Sequence, residues 1–273
     1  MKKLIPILLV LVLALSAFAL AACAPEETPP VDDNPEGNGA AVGNEGDVDG
    51  EKLVLTMGTE AGFEPFEYKE GDNYLGIDIE LAQAIADKLN MELQISDMAF
   101  DTLLDALNAD MVDFVAAGMS IDPEREQQVD FTVPYFNASQ AVVIRAADAA
   151  NYTDVTALEG KKIAVQAGTT GNDLADLVKD ADVSAFTAYS EAISALENGS
   201  VDAVIMDNFP ASSFAAGNEA LQVITGWYEE EQYAMAIKKG NTELYDQING
   251  ALQELIDDGT LDAIVERYSS DLM

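Results

Sequence analysis

From Glu51 onward the chain alternates between short apolar runs and segments whose apolar residues recur every three or four positions. Residues 53–57 form an apolar run of the first kind and predict a buried strand. After a glycine-bearing loop, Leu81, Ala82, Ile85, Ala86 and Leu89 share one face, which predicts a helix over 77–89. A short strand is expected at 93–95. Asp101 is placed to cap a helix running to 107, and 112–116 reads as another strand. The alternation resumes with strands at 140–144, 163–166 and 203–206 and helices at 173–179 and 191–198. Helices at 244–257 and 261–268 finish it. Strands separated by helices predict an α/β architecture with mainly parallel sheets.

One stretch is echoed. "ALNADMVDFVAA" from Ala106 and "ALENGSVDAVIM" from Ala195 share a helix end, a short turn, a Val-Asp pair and an apolar strand. The echo supports two lobes of similar build.

The first fifty residues follow another pattern. Lys2 and Lys3 precede an apolar run over 4–20 that ends in Ala21, Ala22 and Cys23. A charged start, an apolar middle and small residues at a cut site describe a secretory signal peptide. "LAAC" further resembles a bacterial lipobox, in which the cysteine is acylated and becomes the new N-terminus. Ordinary cleavage at the small residues, or an uncleaved anchor, are the alternatives. Residues 24–50 are rich in Pro, Gly, Asn, Asp and Glu with almost no large apolar side chain, too little to bury for folding. They read as a disordered acidic tether, spanning roughly 30 Å as a coil. Its terminal "DVDG" lacks the other ligand positions of a calcium loop, so no metal is assigned there.

Composition narrows the function. Of 273 residues, 50 are Asp or Glu and 13 Lys or Arg, a formal net charge of −37. Phosphate backbones would repel such a surface, which argues against nucleic-acid binding. The acidity serves solubility, or gathers cationic ligands. Histidine is absent and Cys23 is the sole cysteine. This removes Ser-His-Asp and Cys-His catalysis, His-ligated zinc and any intrachain disulfide. No cofactor is implied.

In open α/β sheets, ligands bind beyond the carboxyl ends of strands. Four strand ends here run into "GTEAGFEPFEY", "AGMSIDPER", "QAGTTG" and "MDNFP". They carry Glu60, Phe63, Gly118, Ser120, Arg125, Thr169, Thr170 and Asp207. Hydroxyls, backbone amides, a guanidinium, carboxylates and an aromatic face together suit a zwitterion. Arg125 stands out in a chain so poor in bases. Asp122 is placed to cap a short helix with Pro123 at its first position, which would hold Arg125 near the helix start, where its fork can take a carboxylate bidentately. The alternative is a surface pair with Glu124, Glu126 or Asp130.

The ordered run "GTEAGFEPFEY…GIDIELAQAIADKL…FDTLLDAL…VDFVAAGMSIDPEREQQVDFTVPYF…LEGKKIAVQAGTTG…VDAVIMD…AMAIKKGN" resembles the polar amino acid-binding proteins of bacterial ABC importers. The likeness spans residues 52–270 and is nearest to the glutamine, basic amino acid and cystine group. It implies the two-lobed type II periplasmic binding protein-like fold, with two hinge-crossing strands and a ligand cleft between lobes. The implied division is a lipoprotein signal peptide over 1–22, a lipidated cysteine and linker over 23–50, a large lobe over 52–134 plus 236–273, a small lobe over 140–230, and hinges at 135–139 and 231–235.

By position, Arg125 would hold a ligand α-carboxylate with the amides or hydroxyls of Ser120 and Thr170. Asp207 and the Gly118 carbonyl would receive the α-ammonium. Phe63 and Phe100 would sandwich the side chain, with Glu60 and Gln166 near its far end. Both phenylalanines also fit a core-packing role. Many relatives carry aspartate where Glu60 stands and some cystine binders carry glutamate; the extra methylene changes what the pocket end can bind. The resemblance implies a monomer, lipid-anchored on the outer face of the cell membrane, that hands a polar or basic L-amino acid to permease subunits.

Two rival functions use the same fold. A cyclohexadienyl dehydratase-like enzyme could use Glu60 or Asp207 as general acid. An extracytoplasmic sensor would need a membrane-spanning helix and an output domain after the lobes, and the sequence to Met273 carries neither. The zwitterion set and the tether favour a binding protein over an enzyme.

Overall fold

The computed structural model describes residues 52–269; the leader, Cys23 and the linker expected over 1–50 lie outside them. In chain order the first elements are β1 (Val54–Thr59), β2 (Gly62–Phe63), β3 (Glu67–Glu70), β4 (Asn73–Leu75), α1 (Ile77–Lys88), β5 (Glu92–Asp97), α2 (Leu103–Asn108), β6 (Phe114–Val115) and β7 (Val129–Phe131). Then come β8 (Phe136–Arg145), β9 (Lys162–Gln166), α3 (Thr170–Asp176), β10 (Asp182–Phe186), α4 (Tyr189–Glu197), β11 (Ala203–Asp207), α5 (Asn208–Ala215) and β12 (Leu221–Ile224). β13 (Glu230–Tyr233), β14 (Ala236–Lys238), α6 (Thr242–Asp257) and α7 (Thr260–Ser269) end the described chain.

Two large sheets organise these elements, beside a small antiparallel one of order β2-β3-β4. The first has strand order β5-β1-β6-β14-β7, with β1 parallel to β5 and β6 and the late strand β14 inserted antiparallel between β6 and β7. The second has order β10-β9-β11-β8-β12; β10, β9 and β11 run parallel, and β8 runs against β11 and β12. A lobe forms around each. β8 belongs to both regions: its opening residues pair with β13, from Phe136↔Tyr233 to Ser139↔Glu230, and the rest pairs with β11 and β12. The chain therefore crosses between lobes on a two-stranded ribbon.

The helices bury the apolar faces that the sequence pattern marks. α1 buries Leu81, Ala82, Ile85 and Ala86 and packs on α6 and α7, which bury Ile248, Leu252, Leu255, Leu261 and Ile264. Gly76 starts α1 at φ 122, and a Cβ there would lie 2.1 Å from the Phe66 carbonyl oxygen, so only glycine fits.

The echoed Val-Asp pairs have a shared structural cause. Asp113 precedes β6, takes the Thr56 N–H on its carboxylate at 2.7 Å and donates its own N–H to Thr56 O at 2.8 Å. Asp202 precedes β11 and does the same with Lys162, at 3.0 and 2.8 Å. Each aspartate pins a central strand to its parallel neighbour, once per lobe.

Local chemistry shifts some boundaries. Asp101 is not a cap: it sits inside a 3-10 turn over Phe100–Thr102, and α2 begins at Leu103 with no side-chain cap. Thr102 instead donates its hydroxyl to Ala99 O at 2.7 Å. The helix expected at 173–179 is α3, starting at Thr170, because the Thr169 hydroxyl accepts the Asn172 N–H and sets the start earlier. The strand expected at 112–116 narrows to Phe114–Val115. Among the described residues, no helix is long and apolar enough to cross a membrane.

Candidate functional site

The loops leaving β1, β6, β9 and β11 converge between the lobes on one narrow cavity. Glu60, Phe63, Phe100, Gly118, Ser120, Arg125, Gln166, Thr169, Thr170 and Asp207 all line it, joined by Glu67 and Ala117. The lobes touch across it. Arg125 Nη2 donates to Gly168 O at 2.9 Å, and Gln166 Nε2 donates to Glu60 Oε2 at 3.2 Å.

One end suits an anion. Asp122 Oδ1 accepts the N–H groups of Glu124 and Arg125 at 2.8 and 3.0 Å, so the capping function expected of Asp122 is present, on a single 3-10 turn over Arg125–Gln127. The ion pair of Arg125 is also with Asp122, Nε to Oδ2 at 2.9 Å, and not with Glu124, Glu126 or Asp130. Nη1 donates to Ser120 O at 2.7 Å. Each terminal nitrogen thus spends one N–H on a carbonyl and keeps one for a ligand, while Nε is paired with the Asp122 carboxylate. Arg125 is 8% exposed. Its fork lies 5.4 Å from the Phe100 ring centre, a cation–π contact that limits its swing.

The hydroxyls at this end are already committed. Ser120 Oγ and Thr170 Oγ1 both donate to Glu231 Oε2, at 2.6 and 2.8 Å. The Thr169 hydroxyl donates to Gln166 O and caps α3. The backbone N–H groups of Ser120 and Thr170 have no acceptor among the described residues, Thr170 being the first residue of its helix. The amides, and not the hydroxyls, are therefore available to an anion.

The opposite wall is acidic. None of the ion pairs among the described residues involves Glu60, Glu67 or Asp207. Burial pushes Asp207 up to about 7, countered in part by the Tyr233 hydroxyl, which donates to it at 2.6 Å. Burial also raises Glu60, against the Gln166 bond. Behind them, Asp78 accepts the Gly118 N–H at 2.9 Å and the Tyr135 hydroxyl at 2.7 Å, and burial lifts it to about 6. Asp78 Oδ1 and both Glu67 oxygens are buried without a donor from any other group. A proton resolves this. Burial, then the Asp78 charge, hold Glu67 far above the usual carboxyl range, which favours a protonated Glu67 beside Asp78.

Raised values have one sign. They stabilise the ligand-free fold below pH 4, and that contribution is lost as pH climbs through about 6 and about 7. A cation entering the cavity would reverse the penalty by favouring the ionised forms.

Aromatic rings fix the remaining wall. Phe63 is buried and stacks on Tyr189, centroids 5.9 Å apart at 24°. Gly118, at φ +52, lets the backbone pass this ring; a Cβ there would lie 2.4 Å from Phe63.

A family model for the bacterial extracellular solute-binding proteins, family 3, matches residues 55–271. The chain belongs to that family. The arginine-binding extracellular protein ArtP of Bacillus subtilis is 33% identical over 267 residues, covering 96% of each chain. Among solved structures, an ancestral arginine-binding protein bound to arginine superposes with TM-score 0.76 at 38% identity, covering 80% of this chain and 99% of its own. An ancestral amino acid-binding protein that is a precursor of cyclohexadienyl dehydratase gives 0.74 at 32%, covering 79% and 95%. The two-lobed type II fold follows from these likenesses and from the two sheets.

Several residues of this extracellular solute-binding protein escape a reading of its sequence. Glu67 and Glu231 sit in "FEPFEY" and "EEEQY", where glutamate reads as solvated. No pattern in the sequence flags Glu67: strand alternation would place it on the face of exposed Lys69, yet it is buried beside Phe66.

Proposed function

We propose that this protein is the substrate-binding component of an ABC importer, and that it captures an L-amino acid with a cationic side chain by closure of its lobes. The observation that carries this is the charge distribution in the cavity: one guanidinium beside two unclaimed amides at one end, and carboxyls without a protein cation at the other. Arg125 with the Ser120 and Thr170 amides takes the α-carboxylate. Asp207 and the Gly118 carbonyl take the α-ammonium. Phe63 and Phe100 flank the aliphatic stem, and Glu60, oriented by Gln166, meets the distal cation. Polar amino acids without a charge would leave Glu60 uncompensated in a closed pocket. The arginine-binding relatives favour the same choice.

We read the site as a binding site and not as an active site. An acid–base enzyme would use the raised values of Glu60 and Asp207; here the ligand's own cations would ionise both groups. Lobe closure would turn on 135–139 and 231–235, with 52–134 plus 236–273 on one side and 140–230 on the other. A thermal-shift series over the twenty amino acids, ornithine and cystine tests the reading. A ligand at 100 times its dissociation constant should add about 2.7 kcal/mol. Arginine, lysine or ornithine should give the largest shift; no shift with any of them would end the proposal.

An anchor at the outer face of the cell membrane would keep the protein beside its permease. We propose that Cys23 is its lipid attachment site, that it acts as a monomer on a tether, and that Cys23→Ala releases it from the membrane fraction or blocks processing. A Cys23→Ala protein that remains membrane-bound after normal cleavage would exclude the lipid anchor.

A further inference from the structure

We propose that Glu231 is the latch of the closed cleft and the positioning residue for the two amides that receive the ligand's carboxylate, an inference that rests on the amino acid-binding reading above. Glu231 lies on β13, in the ribbon between lobes, opposite Ala138. Its Oε2 collects two hydroxyls, Ser120 Oγ from the first lobe and Thr170 Oγ1 from the second. One atom on the connection thus holds both sides of the cleft.

The two bonds have different standing. The Ser120 loop is stitched to β13 by backbone, through Ile121 N–H to Gln232 O at 2.9 Å and Ala234 N–H to Met119 O at 3.1 Å. Ser120 and Glu231 therefore travel together, and Ser120 serves to aim the carboxylate. No backbone bond among the described residues joins α3 to β13. The Thr170 bond is the one that closure makes and opening breaks. Its direction is fixed from behind, because buried Gln140 donates Nε2–H to Thr170 Oγ1 at 3.2 Å, leaving the single hydroxyl proton for Glu231. Hydroxyl-to-carboxylate bonds of this length are among the strong ones in proteins.

The latch also sets geometry. With both hydroxyls turned to Glu231, the N–H groups of Ser120 and Thr170 are left to the cavity beside Arg125. Glu231 does not line the cavity itself, so it acts through these two residues.

Stopped-flow kinetics with L-arginine on the full chain separate a latch from a scaffold. Glu231→Ala should raise the dissociation rate about tenfold or more and leave the association rate within threefold, with Glu231→Gln intermediate. Thr170→Val should give a similar rise, and the double variant should be no worse than the worse single one, because both remove the same bond. Dissociation within threefold of the parent in Glu231→Ala, or fully additive effects in the double variant, overturns the proposal. Thermal melts of Glu231→Gln check folding. If the parent binds no amino acid, the binding reading fails first. The latch is then judged by pulsed spin-label distances between Met111→Cys and Leu177→Cys, exposed positions on opposite lobes. A longer mean distance in ligand-free Glu231→Ala supports the latch, and an unchanged distribution overturns it.

Discussion

Replacing Arg125 by alanine should cost roughly 30- to several-thousand-fold in amino acid affinity, the result of about 2 to 5 kcal/mol for truncating one side of a desolvated charge pair. The structure explains why the loss belongs at the upper part of this range. Arg125 is tied to Asp122, to Ser120 O and, across the cleft, to Gly168 O. Alanine would remove the ligand's anion partner and a bond that closes the lobes. Arg125→Lys separates these effects. It keeps the charge but has no planar fork, so it cannot hold two carbonyls and a carboxylate together. It should fall between parent and alanine variant, at least tenfold weaker than the parent. Isothermal calorimetry reads all three proteins. Less than a threefold loss for Arg125→Ala would remove Arg125 from the site. The melting curve guards against misfolding, since Ser120 O and Gly168 O would lose donors worth about 1 to 3 kcal/mol each if left buried and unpaired.

What the sequence made legible follows a physical division. Features set by local periodicity or strand-end position could be read: the apolar face of α1, the Val-Asp bracket of each lobe, and the four loops that meet in the cavity. Features set by pairing between distant segments could not. β13 is a run of polar residues, Glu230 to Tyr233, and becomes a strand only because β8 lies beside it. α5 follows Asp207 through "NFPASSFA", whose Pro210 and serines give no helical period. The same limit hid two carboxyls. Glu67 is buried because the β2–β3–β4 hairpins fold over Asp78, and Glu231 matters because Thr170 arrives from 61 residues away. Resemblance to a family picked out residues that line the cavity; only the structure showed that Ser120 and Thr170 give their hydroxyls to a residue outside it.

Glu60→Gln should then decide what the far end of the pocket recognises, because it keeps the shape and removes the charge. Glu60 reaches the cavity at the end of β1, folded over Gly62, where a Cβ would lie 2.9 Å from its Oε1. Its only hydrogen-bond donor among the described side chains is Gln166, so a ligand cation would be its first charged partner. For arginine, lysine or ornithine, loss of the carboxylate in a closed pocket should cost about 2 to 4 kcal/mol, roughly 30- to 900-fold in affinity. A neutral polar side chain would still find a hydrogen-bond acceptor in the amide, and its loss should stay near 1 kcal/mol. pH supplies an independent axis. Glu60 and Asp207 are both raised by burial, Asp207 to about 7, so a dicationic ligand must expel their protons on binding. Affinity of the parent for a basic amino acid should therefore increase from pH 5 to pH 8. In Glu60→Gln the part of that increase due to Glu60 should vanish, leaving the rise through about 7 that belongs to Asp207. Calorimetry at several pH values measures both quantities. A basic ligand bound equally tightly by Glu60→Gln, with an unchanged pH profile, would mean that its cation lies elsewhere, and the Glu67 carboxyl, which also lines the cavity, would be the remaining acidic group able to meet it on giving up its proton.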